Sequence, residues 1–328
     1  MRSDVLSQAC QLGKHVRLPF HSSDSIVDSV FDISHSDVWT SPISSFGGFK
    51  YYVVFLDHYS HFLWVYPLRQ KSDVFAKFLQ FRAYVKTQFN CDIKSFQCDH
   101  GGEFDNSATH DLFASNGIQF RFSCPKTSQQ NGKSERMLRT INNVIRTLLF
   151  QAHLPPKYWA EALHMATHLL NILPSTSINN ETPFTKLFGK PPSYSHLRVF
   201  GCLCYPHITP SHKLSPRTTP CLFLGYPSNH RGYRCLDLST HKIIISRHVT
   251  FDESGFPFGS MTPTSPPSYD FLDHSVDSSP ISRRLLMTPS MYPTSATPPS
   301  PADQHNPIPT EPPPSCWESQ VQKHTCSG

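Results

Sequence analysis

The sequence predicts a mixed α/β domain, then a small all-β domain and a proline-rich tail. Three observations carry this. Strand-like and helix-like apolar patterns alternate between residues 28 and 175, as α/β architectures require. Short β-like runs separated by Gly and Pro fill residues 196–253, which suggests a small barrel. Fifteen of the 30 prolines fall after residue 256.

The elements follow in order. Residues 1–27 are polar. Val30 to Asp37 reads as a strand, Tyr51 to Leu56 as a second after the Gly47-Gly48 turn, and Phe62 to Tyr66 as the third of a meander. Ser72 is placed to cap a helix over 73–89, where Val74, Phe75, Phe78, Leu79, Phe81 and Val85 have helical spacing. Ile93 to Cys98 is a strand leading into Asp99, followed by a short helix over 106–115 and a strand from Ile118 to Phe122. A polar loop, 124–132, precedes a long helix starting near Lys133. On it Leu138, Ile141, Ile145 and Leu148 form an apolar stripe, and Glu135, Arg139, Asn142 and Arg146 a polar one. Pro155-Pro156 opens another helix that Pro174 stops. Residues 176–195 read as a linker. Strands are expected at Arg198–Phe200, Cys221–Tyr226, Tyr233–Leu236 and Lys242–Ser246. The Pro/Ser/Thr-rich segment 254–328 is expected to be disordered.

Composition excludes several classes. No run approaches the roughly 18–20 apolar residues of a membrane span, and Met1-Arg2-Ser3-Asp4 is followed by no apolar signal-peptide segment. The ten cysteines are widely spread and read as core thiols rather than a disulfide framework. The net charge of +5 is too small to argue for nucleic acid by itself, but its distribution is uneven. Residues 121–146 carry six Lys/Arg against Glu135 alone, and residues 196–250 carry seven against Asp237 alone. That pattern fits a phosphate-binding surface.

Three carboxylates stand where chemistry would use them: Asp37 at the end of the first strand, Asp99 at the end of the fourth, and Glu135 in the first turn of the long helix. Carboxylates gathered from strand ends and a helix bind hard divalent cations through oxygen. Two such ions can activate an attacking oxygen and stabilise a leaving one in phosphodiester chemistry. The plain alternative is that each is a turn former or cap, as expected of Asp32, Asp57 and Asp105.

The flanking residues favour the first reading. His35-Ser36-Asp37-Val38-Trp39 with Pro42, the run Phe96 to Phe104 around Asp99-His100-Gly101-Gly102-Glu103, and Cys124 to Arg136 with its Gln129-Gln130-Asn131-Gly132 resemble the integrase of copia-type LTR retrotransposons, part of their Gag-Pol polyprotein. Thirty-five residues separate Asp99 from Glu135, as in the family's D-x(35)-E. Val199-Phe200-Gly201-Cys202, Lys213-Leu214, Phe223-Leu224-Gly225-Tyr226 and Gly232-Tyr233-Arg234 resemble the SH3-like module after its catalytic core. The resemblance covers roughly residues 7–253. It implies an RNase H-like core (28–175) with a mixed five-stranded sheet and flanking helices, a linker, an SH3-like β-barrel (196–253) and a disordered tail.

It also implies a DDE-type polynucleotidyl transferase. Asp37, Asp99 and Glu135 would hold two Mg²⁺ or Mn²⁺ ions for 3′-end processing and for strand transfer of element ends into target DNA. Lys126, Gln130, Asn131, Lys133, Arg136, Arg139 and Arg146 would lie along the DNA, a solvated helix face being the alternative for Lys133, Arg136 and Arg139. The active form would be a homo-multimer working in the nucleus, and otherwise cytoplasmic, without a membrane.

The sequence departs from the pattern in places. His100 replaces the usual Asn, Gln97-Cys98 the usual Arg-Ser, and His58 an acidic residue after Asp57. An imidazole there either stays neutral or competes for the ion. Residues 1–27 look like the remnant of a zinc module: Cys10 matches one ligand, Ser7 stands for another, and two histidines fall before Met1. Structural zinc takes four ligands, so none is expected, with His15 and His21 as surface residues. Cys202, Cys204, Cys221 and Cys235 alternate with apolar residues and are expected in a core. The whole reads as a truncated element copy. A catalytically inactive nucleic-acid-binding remnant is the alternative function, and an RNase H-like nuclease a third.

Overall fold

The computed structural model describes residues 27–123, 131–210, 212–227 and 231–259. These fall into two compact units. Nearly all of the expected zinc-module remnant (1–27), Lys126, Gln130 and nearly all of the expected proline-rich tail lie outside the described residues.

The first unit is built on a five-stranded sheet of order β3-β2-β1-β4-β5. Its strands are β1 (Ile33–Thr40), β2 (Tyr51–Asp57), β3 (Leu63–Leu68), β4 (Ser95–Cys98) and β5 (Gln119–Phe122). The first three form the expected antiparallel meander, with Asp37 opposite Val54 and Val54 opposite Val65. Helix α1 (Val74–Phe89) then carries the chain to β4, which pairs in parallel with β1. Helix α2 (Ser107–Ser115) leads to β5, parallel to β4. The sheet is therefore mixed.

The core is aromatic. In α1 the buried residues are Val74, Phe78, Phe81, Val85 and Phe89, a three- and four-residue spacing that keeps one face on the sheet. Phe81 stacks on Phe55 of β2 at 4.7 Å, and Phe96 of β4 meets Phe78 edge-on at 4.8 Å. The start of α1 differs from expectation. Ser72 lies within a 3-10 turn (Lys71–Asp73), and Gln70 with Asp73 forms the capping box, because the Asp73 carboxylate reaches back to accept from the Gln70 amide at 3.1 Å. Asn90 ends the helix in the left-handed conformation, φ 53°.

Helices α3 (Gly132–Gln151) and α4 (Trp159–Ile172) follow. The buried row of α3 is Ser134, Ile141, Ile145 and Leu149, so Leu149 replaces the expected Leu148. The side chain of Asn171 on α4 brackets one residue of β3: its Oδ1 accepts from Leu63 N and its Nδ2 donates to Leu63 O, both at 2.8 Å. The expected linker holds a further helix, α5 (Pro183–Phe188). Thr182 caps it through Thr185 N at 3.0 Å, Pro183 occupies its first turn, and Gly189 closes it at φ 69°.

The second unit comprises 152–156 and 196–259 of the described residues. Its strands are β6 (Leu203–Pro206), β7 (Cys221–Phe223), β8 (Tyr233–Asp237), β9 (Ile243–Ser246) and β10 (Val249–Asp252). They form one antiparallel sheet of order β10-β6-β7-β8-β9. The expected barrel is thus a five-stranded sheet, and no pairing joins β9 to β10 among the described residues. Arg198–Phe200 is not a strand, since the Arg198 amide donates to Tyr226 Oη instead of a ladder partner. Gly201 follows at φ 79°, where a Cβ would collide with that of Ala152.

Cys202, Cys204, Cys221 and Cys235 lie fully buried in one core cluster with Phe223 and Tyr233. Burial pushes the Cys202 and Cys221 thiols up to about 12, so they pack as neutral groups. These four and Cys98 are free thiols. Cys91 departs from the expectation of core thiols, being disulfide-bonded.

Asp57 is the polar anchor of the first unit. It is fully buried at the end of β2. Its carboxylate accepts from Phe31 N at 2.7 Å, Ser60 N at 2.7 Å and Ser60 Oγ at 2.6 Å. These bonds fix the β2–β3 turn and hold Phe31, fully buried, at φ 64°, a conformation costly for a bulky residue. Asp57→Ala leaves these donors unpaired, so a loss of about 2–4 kcal/mol is expected. A drop in the urea midpoint at unchanged slope checks it.

Candidate active site

The parallel pairing of β1 and β4 brings the first two carboxylates together. Ile33 pairs with Ser95, Ser34 with Phe96 and His35 with Gln97. Continued by two residues, that register sets Asp37 level with Asp99. Both are partly buried. Asp37 Oδ1 accepts from Val38 N at 2.8 Å, and Asp99 Oδ1 from Gly101 N at 3.1 Å. Glu135 comes from the first turn of α3, which packs on β1 and β2.

The electrostatics register this convergence. Burial first, and then the charges of Asp99, Glu135 and Glu103, push the Asp37 carboxyl up to about 7. Glu103 is a fourth carboxylate that sequence reasoning passed over. Its signal was the Gly101-Gly102 pair, which turns the chain back after Asp99. Lys71 pairs with it at 3.0 Å. Among the described residues, no three His, Cys, Asp or Glu side chains already form a metal cage.

The imidazoles flanking the site are accounted for. His35, on the same face of β1 as Asp37, bonds through Nε2 to His58 Nδ1 at 2.8 Å. Burial, followed by the charges nearby, lowers His35 to about 3 and His58 and His61 to about 4. All three are therefore neutral at physiological pH. His100 lies flat on Phe122 at 4.3 Å and bonds through Nδ1 to Asp105 at 3.2 Å. Asp105 also binds His110 Nε2 at 2.8 Å, which gives it more than a turn-forming role.

The expected DNA contacts divide in two. Arg136 and Arg139 are exposed on α3, and Arg146 is partly exposed with Nη2 on Asn143 Oδ1 at 2.5 Å. Asn131 and Lys133 turn inward. Asn131 is buried and donates to Ser36 O at 3.3 Å. Lys133 donates to His58 O at 2.9 Å, and burial lowers its ammonium to about 8. The polar stripe of α3 also faces the sheet in part, since Tyr52 Oη donates to Asn142 Oδ1 at 3.0 Å.

Comparison with known proteins gives the same two parts. Residues 29–128 match the family described as integrase core domain, and residues 202–264 the retroviral polymerase SH3-like domain. The chain is 42% identical over 260 residues to the retrovirus-related Pol polyprotein from transposon RE1 of Arabidopsis thaliana, covering 79% of this chain and 18% of that protein. It is 39% identical over 248 residues to the Pol polyprotein from transposon TNT 1-94 of Nicotiana tabacum, covering 75% and 19%. The chain thus spans less than a fifth of these curated relatives. The solved HTLV-2 integrase catalytic core domain in complex with magnesium (trimeric form) is 18% identical at a TM-score of 0.36, covering 48% of this chain and 95% of that one. An integrase core domain followed by a retroviral SH3-like domain makes this chain a retrotransposon integrase segment, of the kind carried within retrovirus-related Pol polyproteins.

Proposed function

We propose that residues 28–175 catalyse metal-dependent 3′-end processing and strand transfer of element DNA into target DNA, as a polynucleotidyl transferase. One observation carries the reading. The β1–β4 register, continued by two residues, sets Asp37 level with Asp99 inside the region that matches an integrase core domain, and Glu135, in the first turn of α3, lies near enough for its charge to act on Asp37.

The donor chemistry suits a hard divalent cation. All three groups are carboxylates, and burial first, then the repulsion of its neighbours, raises Asp37, a penalty that positive charge relieves. Asp37, Asp99 and Glu135 would hold two Mg²⁺ or Mn²⁺ ions. Such ions supply an activated oxygen nucleophile and stabilise the leaving oxygen. The chain's own groups do the rest. Arg136 and Arg139, with Arg146 beyond them, hold the phosphate backbone and set its register without reading sequence. Lys71 keeps Glu103 paired, and Asp105 with Phe122 turns His100 to a fixed place. The neutral imidazoles of His35 and His58 leave the cation's charge to the carboxylates. The SH3-like unit, 196–253, adds a second basic surface. The active form would be a homo-multimer acting on nuclear DNA. Among the described residues no helix is long and apolar enough to cross a membrane.

Incubating the recombinant chain with a duplex bearing the element's own terminal sequence, a plasmid target and Mg²⁺ or Mn²⁺ tests this. Joined product is expected, with Glu135→Gln slowing it at least roughly a hundredfold, about 3 kcal/mol of transition-state stabilisation. Metal-independent DNA binding without joining would overturn the catalytic reading and leave a nucleic-acid-binding remnant.

The titration of the site gives a second prediction. The folded value of Asp37 lies above 3.8, so the folded chain holds a proton that the unfolded chain releases. Its contribution to stability falls as pH rises from about 4 to about 7. Without divalent ions, Asp37→Asn is therefore expected to melt higher than wild type at about pH 8, with the gap closing near pH 4. The histidines act oppositely. Their folded values lie below 6.5, so stability is lost as pH falls from about 6.5 toward 4. Melting curves across that range check both signs.

A further inference from the structure

Two residues of the α3 entrance are bonded back to the protein, one to β1 and one to the β2–β3 turn. Asn131 is 2% exposed. Its Nδ2 donates to the carbonyl of Ser36, the neighbour of Asp37 in β1. Its own carbonyl accepts from Ser134 Oγ at 2.9 Å, and Ser134 is fully buried. Lys133 leans toward the β2–β3 turn and donates to the His58 carbonyl. That turn is itself fixed by Asp57. The start of α3 is thus tied at 131 to β1 and at 133 to the turn, and Glu135 stands two residues further on.

Helix entrances are weakly held, since their first amides have no intrahelical partner. A metal-ligating side chain must be fixed within about half an ångström to act. A Glu in a first turn meets both problems at once. The charge-assisted bond of Lys133 and the buried bond of Asn131 answer them. An ammonium directed onto a protein carbonyl is also poorly placed to reach a DNA phosphate.

We propose that Asn131 and Lys133 are positioning residues for Glu135, a two-point clamp docking the first turn of α3 on β1 and the β2–β3 turn, and that neither is a phosphate ligand. The proposal rests on Asp37, Asp99 and Glu135 being the metal-holding set.

The test uses the full chain with Lys133→Met, which keeps the aliphatic stem, Lys133→Arg, which restores a donor, Asn131→Ala, and Arg136→Ala as the phosphate control. Mn²⁺ affinity is read by calorimetry and duplex DNA affinity across a salt series. Lys133→Met and Asn131→Ala are expected to weaken Mn²⁺ roughly tenfold, about 1.4 kcal/mol, with Lys133→Arg recovering most of it. Their salt slopes are expected to match wild type, while Arg136→Ala lowers its slope by about 1. A slope lowered by about 1 in Lys133→Met, or wild-type Mn²⁺ affinity in both clamp variants, overturns the proposal. If instead Glu135→Gln binds Mn²⁺ as wild type does, the metal-holding reading fails. Amide hydrogen exchange over 132–136 then still judges the clamp: faster exchange in Lys133→Met than in Arg136→Ala is expected, and equal rates overturn it. Should Asn131→Ala not fold, Lys133→Met carries the same comparison alone.

Discussion

The parallel pairing of β1 with β4 is the constraint on which the rest depends. It is a non-local contact, reached only after α1 has crossed the sheet. What secures it is apolar: Phe96 of β4 packs against Phe55, Phe78 and Phe113. With Ser34 opposite Phe96, the side-chain alternation of both strands is fixed. A slip of one residue would turn Phe96 out of the core and Asp37 away from Asp99 together. The aromatic core therefore sets the position of the acidic group.

That placement works against stability. A carboxylate raised to about 7 by burial and by three like charges is one the fold would rather keep protonated. The imidazoles nearby are unfavourable in the other sense, being buried as neutral groups. Neither is repaired by a local partner of opposite charge, whereas Glu103 has Lys71 and Asp105 has two histidines. Asp37, at the centre of the acidic group, has the Val38 amide as a donor but no cation paired with it among the described residues, so burial and the repulsion of its neighbours still hold it high. A carboxyl kept at that cost is a candidate for chemistry rather than for folding.

The sequence made the local elements legible where one period ruled. The spacing from Val74 to Val85 gives α1, and the apolar run from Tyr51 gives β2. Asp37, Asp99 and Glu135 stand out as candidates through the residues beside them. Direction was harder to read. Lys133 and Arg136 look alike as basic residues of one turn, yet one faces a backbone carbonyl and the other solvent. The difference depends on the β2–β3 turn, 75 residues away in the chain, and no local pattern encodes it. Helix α5 was missed for another reason. It has a cap, an N-terminal proline and a closing glycine, but six residues are too few for periodicity to show. The expected barrel rested on strand spacing and on the resemblance to an SH3-like module, and neither fixes closure or edge pairing in this chain.

Basic charge is read differently once side chains have places. Residues 121–146 count six Lys/Arg, and taken as phosphate contacts they would set a steep salt dependence. Lys133 is committed to a carbonyl, and Arg121 lies close enough to His35 and His58 to depress both. Arg136 and Arg139 remain fully outward. A charge count along a chain thus bounds the number of phosphate contacts from above, because some cations are committed to the protein's own groups. The clustering of cations in two segments, not the +5 of the whole chain, is what fits a phosphate-bearing partner. On the proposed reading, the division of the chain's cations between inward and outward sets how firmly that partner is held and how well the acidic group is kept in place.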